Sequence, residues 1–255
     1  MNETGLKSKD DIQLLKASGK ILVRTLKEVK KHVRPGVSLL DLEKIAKKTI
    51  EAQGAEPAFL GYKPKPTSAP YPAAICASVN ETVVHGIPYD VELKDGDILK
   101  IDIGVKYKNR FTDAAITVGV GKTSKEAKKL LKTTNEALKR AIKVCKQGNY
   151  TGDIGNIIET TVKKQGFEIV EKLTGHGVGF DVHEPPTVRN NGEKGSGEEL
   201  VSGMVIAIEP MVAMGSGQVF AKEDGSFVVK DNSLTAHFEK TIAITERGPL
   251  DLTPW

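Results

Sequence analysis

The sequence predicts an α+β fold built from two related halves, in which each half is a helix pair followed by strands. Residues 34–56 match residues 146–168 at a constant offset of 112 without a gap, with 7 identical residues in 23 positions. Chance would give about one or two identities over such a stretch. Apolar strand segments follow each helix pair, and a carboxylate stands at matched positions within them. The 255 residues suffice for one large domain or two small ones.

Local signals set the boundaries of the four helices. Ser8 precedes the first helix, with Asp11 three residues on as a weak capping box, and the run Arg34-Pro35-Gly36 ends that helix. Glycines mark the other three ends. The predicted helices run from Ser8 to about His32, from Ser38 to Gly54, from Ser124 to about Gly148, and from about Thr151 to Gly166.

The first helix is amphipathic and carries a basic stripe. Leucines and valines fall on one face, and cationic residues recur on the other at spacings of three or four. The stripe consists of Lys20, Arg24, Lys27, Lys31 and Arg34. With a net charge of only +4, it is interpreted first as a solvated surface. The alternative is a surface that meets an acidic partner such as ribosomal RNA.

The strands of the two halves carry matched carboxylates. The matched segments are 92–102 with 199–209, at an offset of 107, and 111–116 with 237–242, at an offset of 126. The matched acids are Asp102 with Glu209 and Asp113 with Glu239. One acid among apolar strand residues is usually paired with Arg or Lys, because a buried unpaired ion is costly. Four acids at equivalent places in two halves favour a different explanation.

That explanation is a dinuclear metal centre. If the halves pack about a pseudo-twofold axis, the four carboxylates converge on one point. Their mutual repulsion would prevent full ionisation at pH 7 unless cations lie between them. Two divalent ions meet this need, and two-metal hydrolases hold their ions about 3.5–4 Å apart.

Histidines supply the nitrogen ligand. His176 lies among glycines in the run 175–179, where the backbone can approach a bound group closely. A single histidine in such a loop is more often incidental, but this one lies between the two carboxylate pairs in the sequence. His183 follows seven residues later, and the repeat pairs it with His85. Ser78 stands where a partner for His176 would lie, so only one half supplies the fifth ligand.

The composition excludes several classes of protein. The apolar fraction of 39% and charged fraction of 27% are ordinary for globular proteins. No apolar run approaches the ~18 residues of a membrane-spanning helix. The N-terminus lacks the apolar region of a secretory signal, and Cys76 and Cys145 cannot form a disulfide framework. We therefore expect a cytoplasmic protein.

The order and spacing of these residues carry a family resemblance. Asp102, Asp113, His176, Glu209 and Glu239, with ten residues between the aspartates, resemble the metal ligands of the type I methionine aminopeptidases. Three stretches resemble signature sequences of that family: 80–88, 174–179 and 205–211. The similarity extends from about residue 8 to residue 247. It implies the pita-bread fold, a curved antiparallel sheet with two helix pairs on its convex side. The expected organisation is one catalytic domain over residues 1–255, with half-repeats of about 8–120 and 121–247.

The resemblance also implies how the residues bind metal. Asp102 would chelate one ion, His176 and Glu209 would bind the other, and Asp113 and Glu239 would bridge the two. A water bridging two cations would become a hydroxide nucleophile near neutral pH. Oxygen-rich ligation with a single imidazole suits Mn, Fe, Co or Zn.

Three residues would take part in catalysis. Glu209 would take and return the proton. By resemblance, His183 would stabilise the tetrahedral oxyanion and His85 would contact the peptide nitrogen beyond the cleaved bond. The implied activity is that of a metal-dependent aminopeptidase, which hydrolytically removes the initiator methionine from nascent proteins.

The resemblance implies an apolar methionine pocket, with soft walls that suit a flexible thioether. Its expected lining is Phe59, Tyr62, Tyr71, Cys76, His85 and Val182. The sequence departs from the family at two places. The stretch from Leu60 to Tyr71 is longer than the usual loop, and Ser226 and Phe227 occupy the region of the usual tryptophan. Phe227 is the candidate replacement.

Two other functions fit the same fold. A proline-specific aminopeptidase or dipeptidase typically carries an extra N-terminal domain, for which this chain has no room before its first repeat helix. A non-catalytic binding module usually loses metal ligands, whereas all five are present. The expected partners are the N-termini of nascent polypeptides and, transiently, the ribosome. We expect no DNA partner, no membrane partner and a monomer.

Overall fold

The structure, a computed structural model, describes residues 5–255, which contain two pairs of helices. The first pair is α1 (Lys9–His32) and α2 (Leu39–Glu51), and the second is α3 (Lys125–Val144) and α4 (Thr151–Lys163). Ser8, Ser38 and Ser124 cap the first three helices by accepting hydrogen bonds from backbone N–H groups. Among the described residues, no helix is both long enough and apolar enough to span a membrane.

The ends of three helices differ from the prediction. Helices α2, α3 and α4 stop three or four residues before Gly54, Gly148 and Gly166. These glycines have φ values of 69°, 85° and 78°, in the left-handed region that costs glycine little. They therefore shape the turn that follows each helix rather than its last residue.

Within residues 5–255 the strands pair antiparallel throughout. They are β1 (Glu56–Pro57), β2 (Ile75–Val79), β3 (Thr82–Val84), β4 (Ile98–Tyr107), β5 (Arg110–Gly119), β6 (Glu168–Ile169), β7 (Thr174–Gly177), β8 (Glu184–Arg189), β9 (Val205–Ile208), β10 (Met211–Ala213), β11 (Val219–Ala221), β12 (Phe227–Val229), β13 (Thr235–His237), β14 (Lys240–Thr245) and β15 (Gly248–Asp251).

The strands form two larger and two smaller sheets. The first half contributes a four-stranded sheet of order β1-β4-β2, with β5 paired to β4. The second half contributes a five-stranded sheet of order β15-β14-β9-β7-β8. Two three-stranded sheets, β13-β10-β6 and β11-β12-β3, complete the set.

The internal repeat is visible in backbone contacts. Ser38, before α2, forms an isolated antiparallel bridge with Glu92, and Tyr150, before α4, forms the equivalent bridge with Glu199. These pairs are related by the sequence offsets of the repeat. Each half thus joins its second helix to the turn before its principal strand in the same way.

Helix α1 packs its apolar face onto β4 and β5. Leu22, Leu26 and Val29 are fully buried in the core shared with these strands, and Leu15 is fully buried in a second apolar cluster with Val205 and Ala207. The five cations of the basic stripe are exposed. The predicted amphipathic pattern is therefore confirmed.

The two glutamates lie where the chain changes sheets, which differs from the predicted position inside continuous strands. Glu209 follows β9 of the five-stranded sheet and precedes β10 of a three-stranded sheet. Glu239 lies between β13 of that same small sheet and β14 of the five-stranded one. Such breaks free the side chains from the strict alternation of a strand.

Candidate metal centre

The four predicted carboxylates are buried. Their residues are between 2% and 8% exposed: Asp102 8%, Asp113 4%, Glu209 8% and Glu239 2%. Within residues 5–255 none of them pairs with Lys or Arg. The usual reason for a buried acid, a basic partner, is therefore missing.

Several carboxylate oxygens also lack hydrogen-bond donors. Among the described residues, Oδ1 of Asp102, Oδ1 of Asp113 and Oε1 of Glu239 are buried without a partner. Burying a carboxylate oxygen in this state is costly, so native sites usually satisfy it with a donor or a cation.

Burial perturbs the acidities of these groups strongly. Burial raises the pKa of Asp102 to about 6. Burial, then the charges of Asp102 and Glu209, raises the pKa of Asp113 well above its usual range. Burial likewise raises the pKa values of Glu209 and Glu239, and for Glu239 the neighbouring carboxylates add to the effect. The protein alone therefore favours protonated acids at this point, and a cation would favour the ionised forms.

His176 joins the carboxylates with a free nitrogen facing them. Ligand atoms of Asp113, His176 and Glu239 all lie within 4.8 Å of one another. His176 Nδ1 lies 2.9 Å from the carbonyl oxygen of Gly177, to which it donates as the N–H tautomer. The lone pair of Nε2 then faces Glu209 Oε1 at 3.4 Å. When Glu209 is ionised, two lone pairs face each other there, so this geometry fits an intervening cation.

The residues therefore fit a divalent metal site. Burial lowers the pKa of His176 to about 4, so the ring is neutral and able to ligate at neutral pH. The grouped donors are two carboxylates and one imidazole, which come from three of the five predicted ligands. Asp102 and Glu209 lie outside that group of three, although Glu209 approaches His176 and the charge of Asp102 acts on Asp113.

A seam of antiparallel backbone joins the carboxylates of the two halves. The Thr241 hydroxyl accepts from the Asp113 N–H at 2.9 Å and donates to the Asp113 carbonyl at 2.7 Å. The Glu239 N–H donates to the Ala115 carbonyl at 2.9 Å. Asn190 donates to the Glu209 carbonyl at 3.0 Å. The ligand-bearing backbone is thus fixed without using the carboxylates themselves.

His183 lies beside this centre, at the open side of the site. Its ring centroid is 4.3 Å from that of His176, and its Nδ1 is 2.6 Å from the Tyr62 hydroxyl. Burial raises the pKa of Tyr62, which keeps its proton. The hydroxyl therefore donates to Nδ1, and Nε2 of His183 carries a proton to offer to a substrate oxygen.

His85 lies against Phe227, the candidate replacement for the usual tryptophan. Its ring is 5.7 Å from the Phe227 ring, edge to face, and its backbone has a φ of 60°. A positive φ is uncommon for a residue other than glycine and marks a constrained turn.

Five of the six predicted pocket residues form one apolar cluster. Phe59, Cys76 and Val182 are buried, and Tyr62 and Tyr71 pack against them. Phe111, which the sequence reasoning did not include, joins the same cluster. His85, the sixth predicted residue, contacts Phe227, which packs against a different apolar cluster. Two backbone hydrogen bonds, Gly61 to Tyr71 and Tyr71 to Tyr62, close the long loop and bring both tyrosines inward.

The sequence reasoning missed His237. This residue is 1% exposed, and its Nε2 lies 3.2 Å from Glu209 Oε2. The sequence offered one signal, since His237 precedes the predicted ligand Glu239 by only two residues.

The chain is similar to known metallopeptidases in both sequence and structure. Residues 13–246 match metallopeptidase family M24. The chain is 46% identical to a methionine aminopeptidase of Aquifex aeolicus over 97% of this chain and 98% of that protein. It is 45% identical to one of Clostridium perfringens, over 97% and 98%. A crystal structure of a methionine aminopeptidase from Thermotoga maritima superimposes with a TM-score of 0.93 at 41% identity, over 97% of this chain and 98% of that one.

A more distant group shares the fold alone. The prolidase of Pyrococcus furiosus superimposes with a TM-score of 0.80 at 23% identity. The alignment covers 98% of this chain but only 66% of the prolidase.

Proposed function

Because the chain belongs to metallopeptidase family M24 and is a methionine aminopeptidase, we propose that its buried acidic centre removes the N-terminal methionine from nascent proteins. The resemblance inferred from the sequence and the pita-bread α+β fold are both confirmed. The enzyme is a metal-dependent aminopeptidase that hydrolyses a peptide bond.

One observation supports the proposed site above all others. Four buried carboxylates have no Lys or Arg partner within residues 5–255, and Nε2 of His176 faces Glu209. Five residues would hold two divalent ions: Asp102 on one, His176 and Glu209 on the other, with Asp113 and Glu239 shared. When bound, such ions acidify water and polarise the scissile carbonyl. Mn, Fe, Co and Zn all suit this donor set.

Glu209 is the proposed proton carrier of the reaction. Burial raises the pKa of Glu209, which makes its ionised carboxylate a stronger base. It would accept the proton of the attacking water and return it to the leaving amine.

The two histidines of the open side would position the substrate. Nε2–H of His183, fixed by Tyr62, would donate to the oxygen that becomes negative as the carbonyl is attacked. His85, held against Phe227, would contact the peptide nitrogen beyond the cleaved bond.

The apolar cluster around Phe59 would accept the methionine side chain. Burial raises the pKa of the Cys76 thiol well above its ordinary value, so this residue lines the pocket as a small neutral group. The Tyr71 hydroxyl lies 3.2 Å from the Ile75 carbonyl oxygen and 3.0 Å from that of Gly86, so backbone acceptors are within reach of its proton.

A peptide assay on metal-reconstituted protein tests this function. Metal-free protein, titrated in turn with Mn, Fe, Co and Zn, should release methionine from Met-Ala-Ser only after metal is added. An Xaa-Pro dipeptide should remain intact under the same conditions. Faster cleavage of the dipeptide would favour the proline-specific alternative, and an inert protein that takes up no metal would favour the binding module.

The basic stripe on α1 is a candidate surface for ribosome contact. Its exposed cations support transient contact with ribosomal RNA, to be tested by sedimentation with ribosomes at rising salt. If the Lys20→Glu, Lys27→Glu double variant sediments with ribosomes as fully as the parent protein does, the contact is contradicted. The single catalytic domain, the cytoplasmic location and the monomeric state stay predictions.

A further inference from the structure

His237 occupies a position that packing alone does not explain. The residue is 1% exposed, and both of its ring nitrogens lack a hydrogen-bond partner of standard geometry within residues 5–255. An apolar side chain of similar size would fill the same space without burying two polar atoms. A polar ring in such a place is explained more readily by the site that it faces.

The backbone of His237 is held rigidly. The Thr117 hydroxyl donates to its carbonyl at 2.6 Å and accepts from its N–H at 2.9 Å. On the other edge, β13 pairs with β10, with His237 opposite Met211. The ring is therefore carried on a fixed strand directly beside the proposed ligands.

Glu209 lies between two imidazoles. Its Oε1 is 3.4 Å from His176 Nε2, and its Oε2 is 3.2 Å from His237 Nε2. Nδ1 of His176 donates to a backbone carbonyl, so that ring offers Glu209 no proton. His237 has no such competing acceptor, so its Nε2 is free to carry one.

We propose that His237 is a positioning residue, which donates from Nε2–H to Glu209 Oε2 and thereby strengthens the binding of divalent metal by the site. The inference rests on the proposed function, since Glu209 must be a ligand. Ligating carboxylates are commonly held by a hydrogen bond of this kind, and its loss typically lowers metal affinity about 10–100-fold.

Two substitutions separate this role from others. His237→Leu keeps the volume and removes the donor, whereas His237→Gln keeps an N–H donor of similar reach. Cys145→Ala is the matched control, because Cys145 is equally buried but lies in the apolar core, where its thiol donates to the Ala141 carbonyl of α3.

The test is calorimetric titration of each metal-free protein with Mn²⁺, together with its melting temperature. We expect His237→Leu to bind Mn²⁺ about 10–100-fold more weakly while melting no lower than the parent. We expect His237→Gln to recover affinity to within a few-fold, and Cys145→Ala to bind as the parent does.

Either of two results would overturn the role of His237 and leave the proposed function intact. The first is His237→Leu binding Mn²⁺ as tightly as the parent, and the second is His237→Gln binding as weakly as His237→Leu. The second result would indicate that the imidazole itself ligates metal. A parent protein that binds no Mn²⁺ would overturn the proposed function as well.

Discussion

At the residue scale, protonation of the buried acids governs metal binding. A carboxyl with a raised pKa retains its proton to a higher pH, and a cation must displace that proton to bind. The pKa of Asp102 is raised to about 6, and those of Asp113, Glu209 and Glu239 are raised as well. The neutral His176 adds no proton to displace above pH 5.

The sign of the pH dependence follows directly. Affinity for Mn²⁺ should rise with pH and fall as pH is lowered through 6, by at least about tenfold between pH 7 and pH 5. Calorimetry in non-coordinating buffers measures this, and the heats in buffers of different ionisation enthalpy report proton release. An affinity that is level from pH 5 to pH 7 would contradict the assignment of these acids as ligands.

Glu209 is the residue whose loss should be most severe. Glu209→Ala removes both a proposed ligand and the proton carrier, so turnover of a Met-initiated peptide should fall by about 100-fold or more. The control is Glu246→Ala. Glu246 is an exposed acid, so its loss should leave turnover unchanged. More than a tenth of the parent activity in Glu209→Ala would rule out this role.

The Tyr62 hydroxyl should matter through His183. Tyr62→Phe keeps the ring in the apolar cluster but removes the donor that fixes the His183 tautomer. We expect kcat to fall about tenfold, as for loss of other groups that orient a catalytic side chain. Tyr89→Phe, at a tyrosine that is 63% exposed, provides the comparison. Equal kcat values for the two variants would show that the tautomer does not limit the reaction.

At the element scale, the contact between α1 and the C-terminal segment supports the site. Leu252 donates its N–H to the Thr241 carbonyl, and Thr253 accepts from the Thr241 N–H. Thr241 in turn holds the backbone of Asp113. Helix α1 reaches this segment through Gly19, where an added Cβ would lie 1.9 Å from the Leu252 carbonyl oxygen.

Gly19→Ala should therefore destabilise the protein although alanine favours helix. Overpacking costs about 1–3 kcal/mol, against a gain of about 1 kcal/mol in helix propensity. We expect a net drop of a few degrees in melting temperature. Lys20→Ala, at the adjacent exposed position, should melt close to the parent. A Gly19→Ala variant as stable as Lys20→Ala would show that the helix shifts freely.

Elements governed by local chemistry were predictable, and those governed by tertiary pairing were not. The serine caps fixed three helix starts because a cap hydrogen bond involves only neighbouring residues. The strand breaks at Glu209 and Glu239 depend on which sheet the chain joins next. Pairing between strands that are distant in sequence, such as β10 with β13, determines which sheet the chain joins. The apolar pattern is continuous across the breaks, so it does not reveal them.

At the scale of the whole molecule, the repeat accounts for both the fold and the gathering of acids. A matched acid in each half becomes a neighbour of its counterpart when the halves meet, as the Asp113 and Glu239 segments do along their shared seam. The four acids were therefore found from sequence, while their role as ligands stays a prediction. His237 was missed because the repeat matches it with Phe111, which bears no polar group.

The proposed chemistry requires the five residues to hold a pair of ions jointly. Anomalous diffraction from crystals grown with Mn²⁺ measures this directly. We expect two peaks, each within coordinating distance of Asp113 and Glu239. One should also contact Asp102, and the other should also contact His176 and Glu209. No anomalous peak at this position, or peaks coordinated by other residues, would contradict the account.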